Sequence, residues 1–349
     1  MDYKTSGVDI DAGQTVVERV KHLARSTFSE GVLSDIGTFG GLFRPELGGM
    51  DEPVLVASCD GVGTKLKVAF AARVHATVGA DLVNHCVNDI LVQGARPIFF
   101  LDYLATGRLS PEVSSEVIQG IATACRENRC ALLGGETAEM PGFYADDEYD
   151  LAGFVVGLVD RARILDGRSI RPGDALIGLP SSGLHTNGYT LARAILFDKL
   201  GLAVDSEVDA LGCTVGEELL RTHRSYVPTV RPAIDMGRTK GIAHITGGGL
   251  TDNVPRILPA GCKAVIDPDR WSRLPIFDLL QEEGAVPDAD MYRTFNMGIG
   301  LVIVCAPDDV HDVVAKLITC GEVGAGVIGE VRAGECGVEY APLDKAASF

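Results

Sequence analysis

The chain of 349 residues lacks long hydrophobic runs, and only 6% of its residues are aromatic. No apolar stretch reaches the roughly 18 residues that a membrane-spanning helix needs, and the best run, 298–306, is typical of a single buried strand. The polar, acidic start lacks the apolar segment of a secretory signal. The sequence therefore predicts a protein that neither spans nor partners a membrane and that stays in the cytoplasm.

Basic residues are scarce as well. The 31 Lys and Arg stand against 48 Asp and Glu, which gives a net charge of −17. So acidic a chain is not expected to bind nucleic acid through a basic surface. If its ligands are anions, it must hold them with bound Mg²⁺, helix N-termini and the backbone N–H groups of glycine-rich loops.

Paired cysteines are also missing. The nine cysteines form no CxxC motif and no cysteine–histidine spacing typical of zinc sites, and their number is odd. This pattern predicts reduced, mostly buried thiols. No His/Cys/Asp constellation near any one of them favours a nucleophilic cysteine.

Strands and helices alternate along the chain, as apolar periodicity and Gly/Pro punctuation indicate. The pattern predicts an α/β protein of the α+β type with two mixed domains, residues 1–165 and 166–349, separated near a polar segment that ends in Pro172-Gly173. The GxGxxG fingerprint with its strand and helix is missing, so mixed or antiparallel sheets are expected as readily as parallel ones. Predicted strands are 53–59, 97–104, 131–133, 152–158, 175–179, 242–245, 262–266, 298–305 and 326–331; predicted helices are 15–26, 77–93, 111–126, 189–200, 250–257 and 310–319.

The segment DGVGTK at 60–65 directly follows a predicted strand. Gly61 and Gly63 would let backbone N–H groups approach an anion, Lys65 adds a positive charge, and Asp60 at the strand end can hold a divalent cation. The spacing is not that of a Walker A loop, and a tight glycine turn with a surface Asp and Lys explains the residues equally well.

The predicted helix 77–93 carries a polar stripe without Lys or Arg, formed by Asp81, Asn84, His85, Asn88 and Asp89. Short side chains with oxygen atoms suit a hard cation, because each ligand must lie close to the ion. The alternative is an ordinary solvated face. For His85 alone, a structural role is favoured.

The segment GGETAEMPG at 134–142 follows the short predicted strand 131–133. Its glycines clear space, and Glu136 would present a carboxylate at a strand end, where α/β sheets usually hold ligands. Asp60, Asp89 and Glu136 come from three different elements. Together they are predicted to share one or two Mg²⁺ ions.

Two loops in the second half, 181–189 (SSGLHTNGY) and 244–250 (HITGGGL), each follow a strand and open a helix. Such loops direct free N–H groups and the positive end of the helix dipole at one point, where a phosphate fits. Taken singly, each is explained by a capped helix start. His185 could act as an acid, a base or a phosphate donor, although a lone loop histidine more often only forms hydrogen bonds.

Longer strings then resemble one known family: GVDIDAG (7–13), DGVGTK (60–65), CVNDILVQGA (86–95), FFLDYLATG (99–107), GGETAEMPGFY (134–144), SSGLHTNGY (181–189), HITGGGL (244–250) and MYRTFNMGIG (291–300). Over nearly its whole length the chain resembles the phosphoribosylformylglycinamidine cyclo-ligase (AIR synthetase) family. The resemblance implies ATP-dependent, Mg²⁺-assisted ring closure of formylglycinamidine ribonucleotide (FGAM) to aminoimidazole ribonucleotide (AIR), with release of ADP and phosphate, in purine biosynthesis. ATP would phosphorylate the formyl amide oxygen. It also implies a homodimer in which N-terminal strands of two chains form a shared barrel.

The resemblance further assigns roles to the residues of these motifs. Catalytic roles fall on His185, Asp60, Asp89 and Lys21, and metal binding on Asp60, Asp89 and Glu136. Contacts to ATP or phosphate fall on Gly61, Gly63, Thr64, Lys65, Asn84, Asn88, Gly135 and Thr137. Contacts to the second substrate fall on Ser182, Asn187, Thr246, Gly247 and Gly248. The segment 31–41 departs from the family by having fewer glycines at its start.

Other readings remain open at this point. An FGAM synthetase is expected to have a much longer chain or a glutaminase partner, a selenide-dependent dikinase a cysteine before Cys59, and a hydrogenase-maturation relative a cysteine tail instead of the ending at Phe349. A non-catalytic nucleotide-binding protein would bind ATP without turnover.

Overall fold

A computed structural model describes residues 10–342 of the chain. The residues form two compact units. The first contains the chain up to Ile90 together with Ala95–Ala162, and the second contains Leu91–Gly94 and the chain from Arg163 onward. Both units combine helices with a main sheet, of four strands in the first and six in the second, and both main sheets contain parallel and antiparallel pairs; a separate two-stranded sheet in the second unit is antiparallel. The predicted mixed α/β fold is therefore confirmed. Within residues 10–342, no helix combines the length and the apolar character needed to cross a bilayer.

The first unit is built on an open four-stranded sheet with the strand order β1-β4-β2-β3. Only the β2–β3 pair is parallel. Its elements are α1 (Ile10–Arg25), β1 (Pro53–Gly61), α2 (Leu66–Ala72), α3 (Ala76–Leu91), β2 (Arg96–Thr106), α4 (Pro111–Glu127), β3 (Ala131–Glu139) and β4 (Tyr149–Asp160). A shared barrel between two chains stays a prediction.

Glycines let α3 lie unusually close to its neighbours. A Cβ atom at Gly153 of β4 would lie 2.9 Å from Leu82 Cγ of α3, so the helix packs directly on the sheet. At the crossing of α3 and α4, a Cβ atom at Gly79 would lie 2.1 Å from a backbone oxygen, and one at Gly120 would lie 1.9 Å from another. Real Cβ atoms do not approach backbone so closely, so both helices need glycine at this crossing.

The face of the sheet opposite α3 is apolar and open. Leu55 of β1 is 66% exposed, and Phe154 of β4 and Tyr103 of β2 are exposed as well. Cys59 lies beside Phe154 in the strand register, on the same face. An exposed apolar sheet face of this kind is a feature of interaction surfaces.

The second unit contains a six-stranded sheet with the order β12-β9-β11-β5-β10-β8, in which only β12 and β9 pair in parallel. All seven residues of β10 are buried, because layers cover both faces of the sheet at this strand. The strands of the second unit are β5 (Ala175–Pro180), β6 (Glu207–Val208), β7 (Cys213–Thr214), β8 (Thr239–His244), β9 (Cys262–Ile266), β10 (Ile299–Cys305), β11 (Gly326–Ala333) and β12 (Val338–Tyr340). Its helices are α5 (Tyr189–Arg193), which continues as a π-helix over Ala194–Lys199, α6 (Val215–Leu219), α7 (Val227–Ile234), α8 (Gly249–Asn253), α9 (Pro275–Gly284), α10 (Asp288–Thr294) and α11 (Val310–Thr319).

The structure differs from the sequence prediction at β3. The predicted strand ended at Leu133, but the observed strand continues to Glu139 and pairs with β2 along its length. Glycine and threonine in this stretch suggested a loop, yet parallel pairing with β2 holds it extended. The helices α2, α6, α7, α9 and α10 and the strands β6, β7 and β12 were not predicted. Apart from α9, which is as long as α11, these are short elements that leave little periodicity.

Asp102 lies in the middle of β2 with its carboxylate buried. Burial raises the pKa of Asp102 to about 7, because the charged form loses its hydration. A Cβ atom at Gly135, its register partner on β3, would lie 2.2 Å from Asp102 Oδ1. The glycine is therefore needed to make room for this buried carboxylate.

We expect Asp102→Asn to stabilise the protein more at pH 8 than at pH 5. In the folded protein the carboxyl stays protonated to about pH 7, whereas in the unfolded chain it ionises near pH 4, so wild-type stability falls as pH rises through this window. The amide carries no such cost. Melting temperatures at both pH values check this, with exposed Asp146→Asn as the control. Equal shifts at both pH values for Asp102→Asn would contradict the account.

Candidate functional site

Two polar contacts join the end of β1 to α3. Asp60 Oδ2 lies 2.9 Å from His85 Nε2, and Ser58 Oγ donates a hydrogen bond to Asp89 Oδ2 over 3.1 Å. Residues two apart on a strand share a face, as do residues four apart on a helix. The Asp60–His85 and Ser58–Asp89 contacts are therefore neighbours, and the two acids lie side by side. The Asp60 side chain is 37% exposed, and Asp89 is half-buried. The structure therefore brings together two of the three predicted metal-binding acids.

His85 lies between these two carboxylates. Burial lowers its pKa, but the hydrogen bond and charge of Asp60, together with the charges of Asp89 and Asp81, outweigh burial and raise the pKa of His85 above its ordinary value. The neighbouring carboxylates thus favour the protonated form of His85. Sequence reasoning favoured a structural role for His85. The available signal was its position four residues before Asp89 in a stripe without Lys or Arg.

The prediction that Lys65 contacts phosphate is wrong for this structure. Its side chain is fully buried, and Nζ lies 2.8 Å from Asp81 Oδ2 of α3. Gly63 has φ +72° and begins a short 3-10 helix that turns Lys65 inward. Burial lowers the pKa of Lys65, and the Asp81 carboxylate opposes this effect. Of the same segment, Gly63 and Thr64 stay exposed and Gly61 is half-buried.

Asn84 and Asn88 lie on the polar stripe of α3. Both side chains are buried. Asn84 Oδ1 accepts a hydrogen bond from Asn128 Nδ2, just beyond α4, over 3.0 Å. Asn84 therefore has a partner within the first unit, and the nucleotide contacts of these two amides stay a prediction.

Glu136 does not join Asp60 and Asp89 within one chain. It lies inside β3, in register with Tyr103, whereas Gly135 is in register with Asp102. Asp60 shares its row with Asp102 through β4, so alternation places Glu136 on the opposite face of the sheet. It is also three strands away from β1, a distance of about 14 Å.

The same placement changes the setting of two predicted phosphate contacts, which themselves stay predictions. Gly135 and Thr137 were expected in a phosphate loop, but both belong to β3. The lack of a side chain at Gly135 is explained by the Asp102 carboxylate.

Lys21 lies on α1, where Nζ pairs with Glu18 over 2.9 Å. Its Cε would lie 3.8 Å from a Cβ atom at Gly37, so the lysine flanks the glycine-rich segment 31–44. A bridge between Val32 and Phe43 closes this segment. Lys21 therefore adjoins an exposed loop, and its functional role stays a prediction.

In the second unit, His185 holds its own loop. The Ser182 N–H donates to His185 Nε2 over 3.1 Å, and Ser182 Oγ donates to the Thr222 carbonyl oxygen over 2.6 Å. His185 is fully buried and has φ +60°. Because a backbone N–H can only donate, Nε2 must be unprotonated, so a neutral His185 carries its proton on Nδ1. As placed, Nε2 serves as an acceptor within its own loop, and the catalytic role of His185 stays a prediction.

The 181–189 loop uses several backbone N–H groups internally. Ser181 N–H donates to the Gly298 carbonyl oxygen, and Asn187 N–H donates to that of Leu184. The Asn187 side chain lies beside the second loop, since a Cβ atom at Gly247 would lie 3.3 Å from its Oδ1. Asn187 Nδ2 is buried and meets no hydrogen-bond acceptor among residues 10–342. The two predicted loops therefore meet at Asn187.

The 246–249 loop is shaped by Asn253, a residue that the sequence reasoning missed. Asn253 Nδ2 donates to the carbonyl oxygens of Thr246 (3.3 Å), Gly247 (3.1 Å) and Gly249 (2.9 Å). In a trans peptide the N–H points opposite to the C=O, so the N–H groups of Gly247 and Gly248 point away from Asn253. Gly248 has φ +96°, which favours glycine. This backbone suits an anion.

Comparison with known proteins places the chain among AIR synthase related proteins. The N-terminal domain of that description matches residues 46–159 and the C-terminal domain residues 171–340. A phosphoribosylformylglycinamidine cyclo-ligase of Trichlorobacter lovleyi is 56% identical over 95% of this chain and 94% of its own length. The Geobacter metallireducens protein of the same name is 55% identical over 97% of both chains.

Two solved structures share the fold. Thiamine-monophosphate kinase from Stenotrophomonas maltophilia K279a aligns with a TM-score of 0.66 and 21% identity, over 93% of this chain and 95% of its own. Hydrogenase maturation protein HypE in complex with ATP aligns with a TM-score of 0.60 and 19% identity, over 91% and 89%. At these identities the likeness concerns the fold alone.

We expect Asp60→Asn to lower the pKa of His85. The substitution removes the carboxylate that raises this pKa, while the burial that lowers it remains. An NMR titration of the His85 ring measures the change. Glu136→Gln is the matched control, because it removes an acid from the opposite face of the sheet. An unchanged His85 pKa in Asp60→Asn, or an equal fall in Glu136→Gln, would contradict the arrangement.

Proposed function

The chain belongs to the phosphoribosylformylglycinamidine cyclo-ligase family, and from this membership we propose that it closes the imidazole ring of FGAM with ATP, giving AIR, ADP and phosphate. The observation that carries the proposal is 56% identity to a cyclo-ligase over 95% of the chain. It favours this activity over an FGAM synthetase-like or a non-catalytic nucleotide-binding protein.

The proposed reaction has two steps. The formyl amide oxygen attacks the γ-phosphorus of ATP, and ADP leaves. The amidine-side nitrogen then attacks the activated carbon and loses a proton, and the oxygen departs with phosphate. Such chemistry depends on charge neutralisation and positioning more than on covalent help from the protein.

In the first unit we assign the nucleotide phosphates to the end of β1. Asp60 and Asp89 offer partly accessible oxygen ligands on neighbouring rungs, and the exposed Gly63 and Thr64 follow on the same turn. Oxygen donors of this kind fit Mg²⁺, which usually takes one or two carboxylates together with phosphates. Bound there, Mg²⁺ would supply the charge neutralisation. His85 holds Asp60 in place, and Ser58 holds Asp89.

In the second unit we assign FGAM to the loops that meet at Asn187. The outward N–H groups of Gly247 and Gly248 are donors for its phosphate, and Asn187 Nδ2 is a donor without an acceptor in the described chain. Ser182 and His185 hold the first loop in shape through their mutual hydrogen bond. Their proposed contribution is therefore to position the substrate contacts.

We also propose a homodimer formed through the exposed apolar face of the first unit's sheet. Leu55, Tyr103 and Phe154 cover this face, and α3 occupies the other. A second copy would bury the same patch symmetrically, which is the usual form of a dimer interface. We place the protein in the cytoplasm, where ATP is available and where its nine free cysteines stay reduced.

We expect the purified protein to form AIR from FGAM, ATP and Mg²⁺, and Asp89→Asn to lower kcat/KM for ATP by on the order of 100-fold. The substitution removes one negative charge from the proposed metal site while retaining a group that Ser58 can reach. A coupled assay for AIR formation over a Mg²⁺ series measures both effects, and exposed Asp146→Asn is the control. Lack of AIR formation by the wild type would refute the function. Unaltered Mg²⁺ dependence in Asp89→Asn would refute the metal site.

We expect Phe154→Glu to convert a dimeric protein into monomers, because the substitution would place an unpaired charge in the apolar interface. Light scattering coupled to gel filtration measures the mass in solution. Val323→Glu, at an exposed apolar position of the second unit, is the control and should remain dimeric. A monomeric wild type, or a Phe154→Glu dimer of unchanged affinity, would overturn this interface.

A further inference from the structure

Three of the chain's seven histidines meet in the interior of the second unit. The rings of His185 and His223 stack with centroids 4.0 Å apart and an interplanar angle of 17°. The rings of His223 and His244 are tilted, with centroids 5.2 Å apart. All three side chains are buried, so their ring nitrogens depend on protein partners. His223 is the central member of the three. It lies outside the motifs identified in the sequence, and the proposed function gives it no role.

Both ring nitrogens of His223 are within hydrogen-bond distance of a partner. Nδ1 lies 3.2 Å from Thr186 Oγ1, and Nε2 lies 3.1 Å from His244 Nε2. Two unprotonated ring nitrogens at this distance would oppose their lone pairs, and two protonated ones would bring their hydrogens together. One hydrogen must therefore lie between the two Nε2 atoms. The protonation of His223 then sets that of His244.

This contact also bridges the two loops that the proposed function assigns to FGAM. Thr186 belongs to the 181–189 loop, and His244 ends β8 directly before the 246–249 loop. The backbone on either side of His223 is anchored, because Ser182 Oγ donates to the Thr222 carbonyl oxygen and Tyr226 OH donates to that of Pro180. His223 thus has little freedom to leave its place.

We propose that His223 is a positioning residue that shares one hydrogen with His244 and stacks on His185, so that both substrate loops keep one relative arrangement and His244 one tautomer. The role for turnover rests on the proposed function. The shared hydrogen does not, since it follows from the distances alone. When His223 donates from Nε2, a neutral His244 carries its own hydrogen on Nδ1. When a neutral His244 donates from Nε2, its Nδ1 carries no hydrogen.

Two conservative substitutions separate the contacts of His223. In His223→Gln the amide reaches the position of the ring Nε2 and can keep the His244 contact. In His223→Asn the amide reaches the position of Nδ1 and can keep only the Thr186 contact. His223→Phe keeps a ring for stacking but neither contact. His311→Gln, at an exposed position of α11, is the control for a histidine-to-glutamine change.

We expect His223→Asn and His223→Phe to lower kcat roughly 10- to 100-fold with KM for ATP within about twofold of wild type, because misplaced loops affect the chemical step. His223→Gln should retain most of the activity, and His311→Gln all of it. A purely space-filling role predicts instead that Phe, which restores the ring, is tolerated best. Wild-type kcat in Asn and Phe, or the order Phe above Gln, would overturn the proposal.

A spectroscopic measurement on the wild-type full chain is independent of activity. With ¹⁵N-labelled histidine, we expect one of the two Nε2 signals in the protonated range and the other in the unprotonated range, and we expect the His244 pattern to change in His223→Phe. Two protonated or two unprotonated Nε2 signals would overturn the shared hydrogen, even if a variant failed to fold. A wild type that shows the shared hydrogen but makes no AIR would refute the proposed function while leaving the histidine pair standing.

Discussion

The burial of α3 is the constraint on which the first unit depends. The buried polar groups of this helix lose their hydration, so a protein partner must replace it to avoid that cost; Thr77 Oγ1 meets no such partner among the described residues. Its polar side chains therefore draw their partners into place. Asp81 pairs with Lys65, Asn84 with Asn128, His85 with Asp60 and Asp89 with Ser58. These contacts fix β1, the turn after it and the end of α4 around one helix.

The two units differ in how they can bind anionic ligands although the chain is negatively charged. The first places His85 beside its carboxylates, which favour the protonated form of the histidine, and Asp60 and Asp89 stay partly accessible. The second relies on neutral dipoles, because Asn253 turns the peptide groups of a glycine loop so that their N–H ends face outward. Neither arrangement needs a cluster of basic side chains, in keeping with a chain of net charge −17.

Sequence patterns predicted the regular elements well where periodicity was strong. β9 at Cys262–Ile266 and α11 at Val310–Thr319 have the predicted bounds. The patterns could not show whether a side chain at the end of a helix or strand points into the protein or toward solvent. A lysine after a glycine turn looks the same in sequence whether it faces a phosphate or, as Lys65 does, a buried aspartate. Glu136 was predicted to follow the end of a strand, but it lies inside β3, because this strand continues past residue 133. His223 carries no sequence signal, since its partners come from distant segments of the chain.

The crossing of α3 and α4 at Gly79 and Gly120 has a consequence for how this protein can vary. One added methyl group at either glycine would collide with the backbone of the other helix and lever α3 away from the sheet. Asp60 and Ser58 of β1 would then lose their alignment with His85 and Asp89 of the helix. Two glycines without any functional group thus govern the alignment of the chemically active side chains. Substitutions should be tolerated less well at these two positions than at many of the polar residues.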